Sequence, residues 1–392
     1  MQKKVSLGVM VALILLAVAL TISATMVFAM RHFNSLVSDI GQRKAIYAYL
    51  DEIDLAARRD YTIDEEKLRA ALANGYIDGL GDPYADYLPS TEYQKVQESL
   101  KGNRTGFGLT FTVKDNDLIV ASVDAQSPAA LAGVTKGDIV TAIDGETVNG
   151  ASYTIAAATV NSAEKVLLTV KHAGETTAVE LTANTYVLQS VAGRMLNNGI
   201  GYITIREFNA LTASQFKKAY NDLTEKGAVY FVFDVRNNAG GDMEAVQEIL
   251  DYLLPRGPYL NCDKKGTKVP ISAVDAYEMT APSVTLINGN TIGEAEAFAA
   301  VLQDMKKSEL VGTSTQGKAV LQEYVGIQSD KGAVLLSVGT LYRINSGDTW
   351  AESGLMPDKT VDLPYNEQLY FSLLTDDKYT QLQAAIALLR TK

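Results

Sequence analysis

The sequence predicts a multidomain chain: an apolar N-terminal segment, a helical stretch, a β-rich module and an α/β core. Three observations carry this. Residues 6–29, SLGVMVALILLAVALTISATMVFA, hold no charge. Near residue 101, helical spacing gives way to short strand-like runs. From about 187, apolar strands alternate with helical patterns, as in a sheet flanked by helices. The expected boundaries are 1–30, 31–100, 101–186 and 187–392.

The uncharged run is long enough to span a bilayer, which takes about 20 apolar residues. Lys3 and Lys4 precede it. Positive charge favours the cytoplasmic side, so the expectation is a single-pass membrane protein with its bulk outside the cytoplasm. A cleaved signal peptide is the rival reading, with small residues in VFA at 27–29 near a cut. Over 31–100, IGQRKAIYAYLDEIDLA and DEEKLRAALANGYIDGL carry apolar residues at helical spacing. They read as a linker or a dimerisation arm. GDPYADYLPS then breaks the pattern with two prolines and a glycine.

Composition excludes several classes of function. The 392 residues are 47% hydrophobic, enough for two or three domains with cores. A net charge of −11 argues against nucleic acid as a partner. Cys262 is the single cysteine, so no internal disulfide and no multi-cysteine metal site can form. The two histidines are His32, beside the apolar run, and His172, in a hairpin-like KHAGE. Neither suits a Ser–His–Asp triad or a zinc site. No metal, nucleotide or other cofactor is suggested.

The β-rich module begins with TGFGLTFTV and continues through DLIVASV, SPAALAGVTKGDIVTAIDGETV, KVLLTVKH and TTAVELTA. The glycines around Gly106, Phe107, Gly108 and Leu109 suit a loop whose amides converge, followed by an open strand edge. Such an arrangement captures a peptide carboxylate and adds the peptide to the sheet. SPAALAGVTKGDIVTAIDG resembles a PDZ domain, with its Ser-Pro turn, short helix, Gly-Asp and strand ending in Asp-Gly.

The core reads as strand IGYITIREF, helix LTASQFKKAYNDLTEKG, strand and loop VYFVFDVRNNAGG, and helix MEAVQEILDYLL. Strand SVTLI, the turn NGNTIG, helix EAEAFAAVLQDM, further strands and a final helix follow. The ordered set GLGDPYADYL, the PDZ-like segment, DVRNNAGG, VGTSTQGKAVLQ and GLMPD resembles the C-terminal processing peptidases, also called tail-specific proteases. The resemblance implies a ClpP/crotonase-like core, export, and a Ser–Lys dyad in which lysine takes the proton of the serine. Such a lysine must be neutral at working pH, which requires burial. Lys318 matches the family lysine, Gln322 a glutamine that orients it, and Gly240 and Gly241 the loop lining the oxyanion site.

One position departs from that pattern. Members of the family commonly read Asn-Glu-Asn-Thr-Ala-Ser-Ala-Ala-Glu where this chain reads Asn288-Gly289-Asn290-Thr291-Ile292-Gly293-Glu294-Ala295-Glu296. The spacing to Lys318 fixes the alignment, so Gly293 stands at the nucleophile position. Glycine has no side chain to attack a carbonyl. Glu294 falls where the family uses a backbone amide for the oxyanion, and a carboxylate there repels developing negative charge unless it points to solvent. The expectation is a catalytically inactive binder of peptide or protein C-termini, or a partner of an active protease or of a second copy of itself. The alternative is a peptidase using another hydroxyl, of which Thr291 is nearest. A bare fold with no binding role is the third reading.

Overall fold

The computed structural model describes residues 7–275, 277–364, 368, 370 and 373–391. The chain divides into two compact units, residues 1–73 and 74–392. The first contains helix α1, Leu7–Asp60, and most of α2, Glu65–Asp78. Arg58 pairs with Asp54 at 2.6 Å and with Glu65 at 2.7 Å, tying the end of α1 to the start of α2. Both pairs are exposed, so each adds little. The expected span 6–29 falls on α1, but Ser6 and many side chains of that span lie outside the described residues. Among the described residues no helix is long and apolar enough to cross a membrane.

The helical region expected over 31–100 is interrupted by a strand inside GDPYADYLPS, the stretch that breaks the helical pattern. Strand β1, Asp86–Leu88, comes before α3, Ser90–Leu100. It pairs antiparallel with a strand near the C-terminus, Ala333–Arg343, in the register Asp86 to Leu335. Three residues are too few for an alternation of period two to register as a strand.

The β-rich module follows. Its strands are β2 (Asn103–Gly106), β3 (Leu109–Lys114), β4 (Asp117–Val123), β5 (Ile139–Ile143), β6 (Glu146–Thr147), β7 (Lys165–His172), β8 (Glu175–Thr182) and β9 (Asn184–Val187). Helix α4, Pro128–Leu131, is capped by Ser127, and α5 spans Tyr153–Ser162. The sheet order is β3-β4-β5-β7-β8, with β6 on β5, so β3 is an edge. Along β7 Val166, Leu168 and Val170 point inward in strict alternation and join Phe111, Leu118 and Leu181 in one core. Ala173 and Gly174, both at positive φ, make the β7–β8 turn, as a two-residue hairpin requires. Strands β2 and β9 pair antiparallel where the chain enters and leaves the module.

The core holds β10 (Val191–Leu196), β11 (Ile200–Ile205), α6 (Thr212–Glu225), β12 (Tyr230–Asp234) and α7 (Met243–Leu253). It continues with β13 (Gly257–Lys264), β14 (Thr267–Ala273), β15 (Ser283–Ile287), α8 (Glu294–Asp304) and β16 (Ser308–Gly312). It closes with β17 (Val320–Gly326), β18 (Ala333–Arg343), β19 (Lys359–Thr360) and α9 (Thr380–Leu389). The main sheet runs β10-β11-β12-β15-β16-β19 and is parallel from β11 to β19. Phe231 and Phe233 of β12 pack toward α6, α7 and α8, while Val232 packs with Leu382 and Ala385 of α9. Both faces are covered, so all five residues of β15 are buried, with the Ser283 and Thr285 hydroxyls hydrogen-bonded to Lys307 O and the Ser308 hydroxyl. A second, antiparallel sheet runs β1-β18-β13-β14, with β17 on β18.

Candidate active site

Strands β12, β15 and β16 are adjacent and parallel, so the loops after them leave the sheet at one edge. Those loops are the three motifs singled out in the sequence. Asn237 and Asn288 exchange two hydrogen bonds, at 3.1 and 2.8 Å. Ile292 N–H donates to Asn238 O at 3.0 Å, and Gln316 N–H donates to Thr291 O at 3.2 Å. Behind the first loop, the buried Arg236 pairs with Asp234 and donates to Gln381 of α9 at 2.7 Å.

Gly293 is the hinge between the turn and α8. Its backbone sits at φ 59°, ψ −114°, a conformation that side chains rarely adopt. The strand-turn-helix elbow of many hydrolases holds its nucleophile in such a strained turn. A Cβ built at 293 would find open space and meet only Lys318 Cδ, at 3.7 Å. Position 293 and Lys318 therefore face each other, and there is room there for a small side chain.

Glu296 holds that juxtaposition. It is fully buried in the first turn of α8. Its carboxylate accepts from Gly293 N–H at 2.9 Å, Lys318 N–H at 2.8 Å, Gly317 N–H at 2.7 Å and the Thr315 hydroxyl at 2.5 Å. One side chain thus joins the 293 turn to the lysine loop.

Lys318 is half-buried, and its Nζ lies 5.6 Å from the centroid of the Tyr84 ring, within cation–π range. Gln322 does not bond Lys318 in the described contacts. Its Nε2 donates to Tyr84 O at 2.7 Å, so it holds the segment that carries the ring. Asp82 anchors the same segment, accepting from Ser337 N–H at 2.9 Å and the Ser337 hydroxyl at 3.0 Å. Burial pushes the Asp82 carboxyl up, but the amides of Ser337 and Tyr84, the Ser337 hydroxyl and the Lys318 charge together hold it below the usual carboxylate range. Tyr84 and Asp82 belong to GLGDPYADYL, and nothing local in that segment signals that it reaches Lys318. Only its place among the ordered family motifs pointed to it.

Gly240 and Gly241 lie beside the turn at φ 96° and 138°. A Cβ on Gly241 would lie 2.0 Å from Phe208 O, so only glycine fits. The Glu294 carboxylate does not point to solvent. The residue is 9% exposed, and its Oε2 accepts the Gly241 N–H at 2.9 Å. A Cβ at Gly240 would strike that oxygen at 2.3 Å. Burial raises the Glu294 pKa, while the Gly241 amide, its own amide and Lys318 pull the other way.

Thr291 is placed as a fastener. Its buried hydroxyl donates to Val235 O at 3.0 Å and accepts the Asn288 N–H at 3.0 Å. The two bonds tie the turn to itself and to the residue after β12, which leaves the hydroxyl neither a free proton for a base nor an open face for a substrate. In the β-rich module, Gly106 ends β2, Gly108 lies between the strands and Leu109 opens the edge strand β3. The Phe107 side chain instead is 2% exposed and part of the module core. Gly108 is required, since a Cβ there would come within 2.1 Å of Ser127 Cβ.

Fold and site together define a PDZ-bearing peptidase architecture. The PDZ domain profile matches residues 105–183, and that of Peptidase family S41 matches residues 199–361. The carboxyl-terminal-processing protease of Synechocystis is 30% identical over 321 residues, covering 79% of this chain and 74% of the relative. The carboxy-terminal processing protease CtpA of Bacillus subtilis is 28% identical, covering 77% of this chain and 65% of the relative's own length. The fold is shared with a photosystem II D1 C-terminal processing protease, at TM-score 0.52 and 23% identity over 84% of this chain and 92% of that one. It is also shared with a Bacteroides fragilis protein assigned to the S41 proteases, at TM-score 0.62 and 17% identity over 81% and 90%. The chain belongs to the carboxyl-terminal-processing protease family, with a PDZ domain ahead of an S41 core.

Proposed function

We propose that this chain is a non-hydrolysing member of its family that binds the C-termini of peptides or unfolded proteins and is anchored in a membrane by residues 6–29. One observation carries the loss of hydrolysis: position 293, opposite Lys318, has no atom that can attack a carbonyl. The retained PDZ sheet with its open β3 edge supports peptide capture by strand addition. An active protease or a second copy of the chain is the proposed partner beyond the peptide itself.

A short peptide with an apolar, free C-terminus is expected to bind the full chain without being cleaved, and its C-terminally amidated form to bind at least tenfold more weakly. Isothermal titration of the two forms, with mass spectrometry of the recovered peptide, checks this. Equal affinities would remove the PDZ role, and a cleaved peptide would remove the non-hydrolysing one.

The anchor follows from the uncharged run and the lysines before it. Protease added to intact cells is expected to degrade residues beyond 31 while leaving cytoplasmic markers whole. Protection of the C-terminal region in intact spheroplasts would reverse the proposed topology.

A further inference from the structure

We infer that the anion hole of this fold is a carboxylate-binding site permanently occupied by the chain's own Glu294. By the family pattern two amides line the hole: that of the Gly240–Gly241 loop after β12, here Gly241, and that of the residue following position 293. In this chain the latter is the Glu294 amide itself. The Glu294 carboxylate takes the Gly241 N–H at 2.9 Å. A hole suited to a transient oxyanion thus holds a carboxyl group of the chain itself. Lys318 supplies the nearby positive charge, and Asp242 and Tyr324 are the other titratable groups that interact with the carboxyl.

The burial explains why this arrangement holds. A carboxylate this deep needs donors, and stays only where they are provided. The lack of a Cβ at Gly240 leaves the space that Oε2 fills. The occupied hole also joins the glycine loop to the start of α8, a link a serine enzyme leaves open for its substrate. A peptide carbonyl entering the groove finds the Gly241 donor engaged. Glu294 therefore blocks the hole by occupying it, rather than only by repelling charge from a distance.

Sequence gives a clean probe. Gly240–Gly241 is the only Gly-Gly pair in the chain. In full chain labelled with glycine carrying ¹³C carbonyl and ¹⁵N, the Gly241 amide is the one signal coupled to a labelled carbonyl before it. In the unmodified chain this amide is expected downfield, as for a donor to a carboxylate, and unmoved by millimolar acetate. In Glu294→Ala it is expected to move upfield, then return downfield in a saturable acetate titration. In Glu294→Gln, whose amide oxygen still fills the hole, it is expected to move part-way and to ignore acetate. Unchanged remaining glycine signals show that each variant is folded, and Glu294→Gln serves if Glu294→Ala is not. The inference is overturned if the Gly241 amide is the same in all three chains, if the unmodified chain answers acetate as Glu294→Ala does, or if Glu294→Gln admits acetate equally. The reading shares its turn with the proposed non-hydrolysing role. It reports amide occupancy alone, so it can fail while peptide binding without cleavage stands, and the reverse.

Discussion

Gly293→Ser alone is expected to yield little or no peptide-bond hydrolysis, and Gly293→Ser with Glu294→Ala about 10²–10³-fold more, the usual worth of an oxyanion donor. The single variant restores a hydroxyl facing Lys318, since a Cβ at 293 lies 3.7 Å from Lys318 Cδ. It leaves the hole filled, because the Gly241 N–H still donates to Glu294. A tetrahedral intermediate would then form its oxyanion beside a carboxyl group that already holds the Gly241 donor. Removing the carboxylate frees the Gly241 amide. The backbone at 293, φ 59° and ψ −114°, strains any side chain there by about 1–3 kcal/mol. The double variant is therefore expected to be less stable than the unmodified chain and still folded. Lys318→Ala in that background is expected to return the rate to background, because the serine loses its base. The substrate is an unstructured protein with an apolar C-terminus, followed by release of new termini. Cleavage by the unmodified chain that Lys318→Ala abolishes would overturn the non-hydrolysing reading. A Gly293→Ser rate equal to that of the double variant would show that Glu294 does not obstruct the chemistry.

Much of this site was legible in the sequence, and the reasons for the exceptions are geometric. Gly293, Lys318, Gly240 and Gly241 lie in glycine-rich loops at the ends of apolar strands. Parallel pairing of β12, β15 and β16 suffices to bring those loops together. Tyr84 was not legible as a neighbour of Lys318. The contact depends on β1 pairing with β18, across most of the chain, and the three residues of β1 carry no periodic signal. The identity of Glu294 was readable as an anomaly, but not its direction. That direction depends on the missing Cβ of Gly240 and the Gly241 amide, which sequence spacing does not encode. Phe107 was expected at the peptide-binding loop because its neighbours are glycines. Close packing of Gly108 on Ser127 shapes that loop so that the ring turns into the PDZ core. Gln322 stands in the expected motif yet bonds Tyr84 O, one step removed from the lysine.

Glu296 is the residue whose loss is expected to cost the most stability. Its carboxylate accepts from three amides and a hydroxyl, all in a fully buried position. Glu296→Ala leaves the Gly293, Gly317 and Lys318 N–H groups and the Thr315 hydroxyl short of an acceptor. Each buried donor left unsatisfied costs about 1–3 kcal/mol. Part of that is regained because a buried charge is removed, so the expected net loss is about 3–5 kcal/mol. A loss of that size lowers Tm by about 10 °C for a unit of this length. Glu296→Gln keeps one oxygen acceptor but turns an NH₂ group toward donors, and is expected to fall between the two. Glu294→Ala is expected to cost clearly less than Glu296→Ala. Glu294 satisfies one amide outside its own residue, and burial already disfavours its charge. Thermal unfolding of the three variants beside the unmodified chain ranks them directly. Placed in the Gly293→Ser, Glu294→Ala background, Glu296→Ala is further expected to abolish the recovered hydrolysis even below its Tm. The reason is that Glu296 bonds both Gly293 N–H and Lys318 N–H and so sets the distance between nucleophile and base. An unchanged Tm for Glu296→Ala, or full hydrolysis in that background, would show that the turn and the lysine loop are held by other contacts.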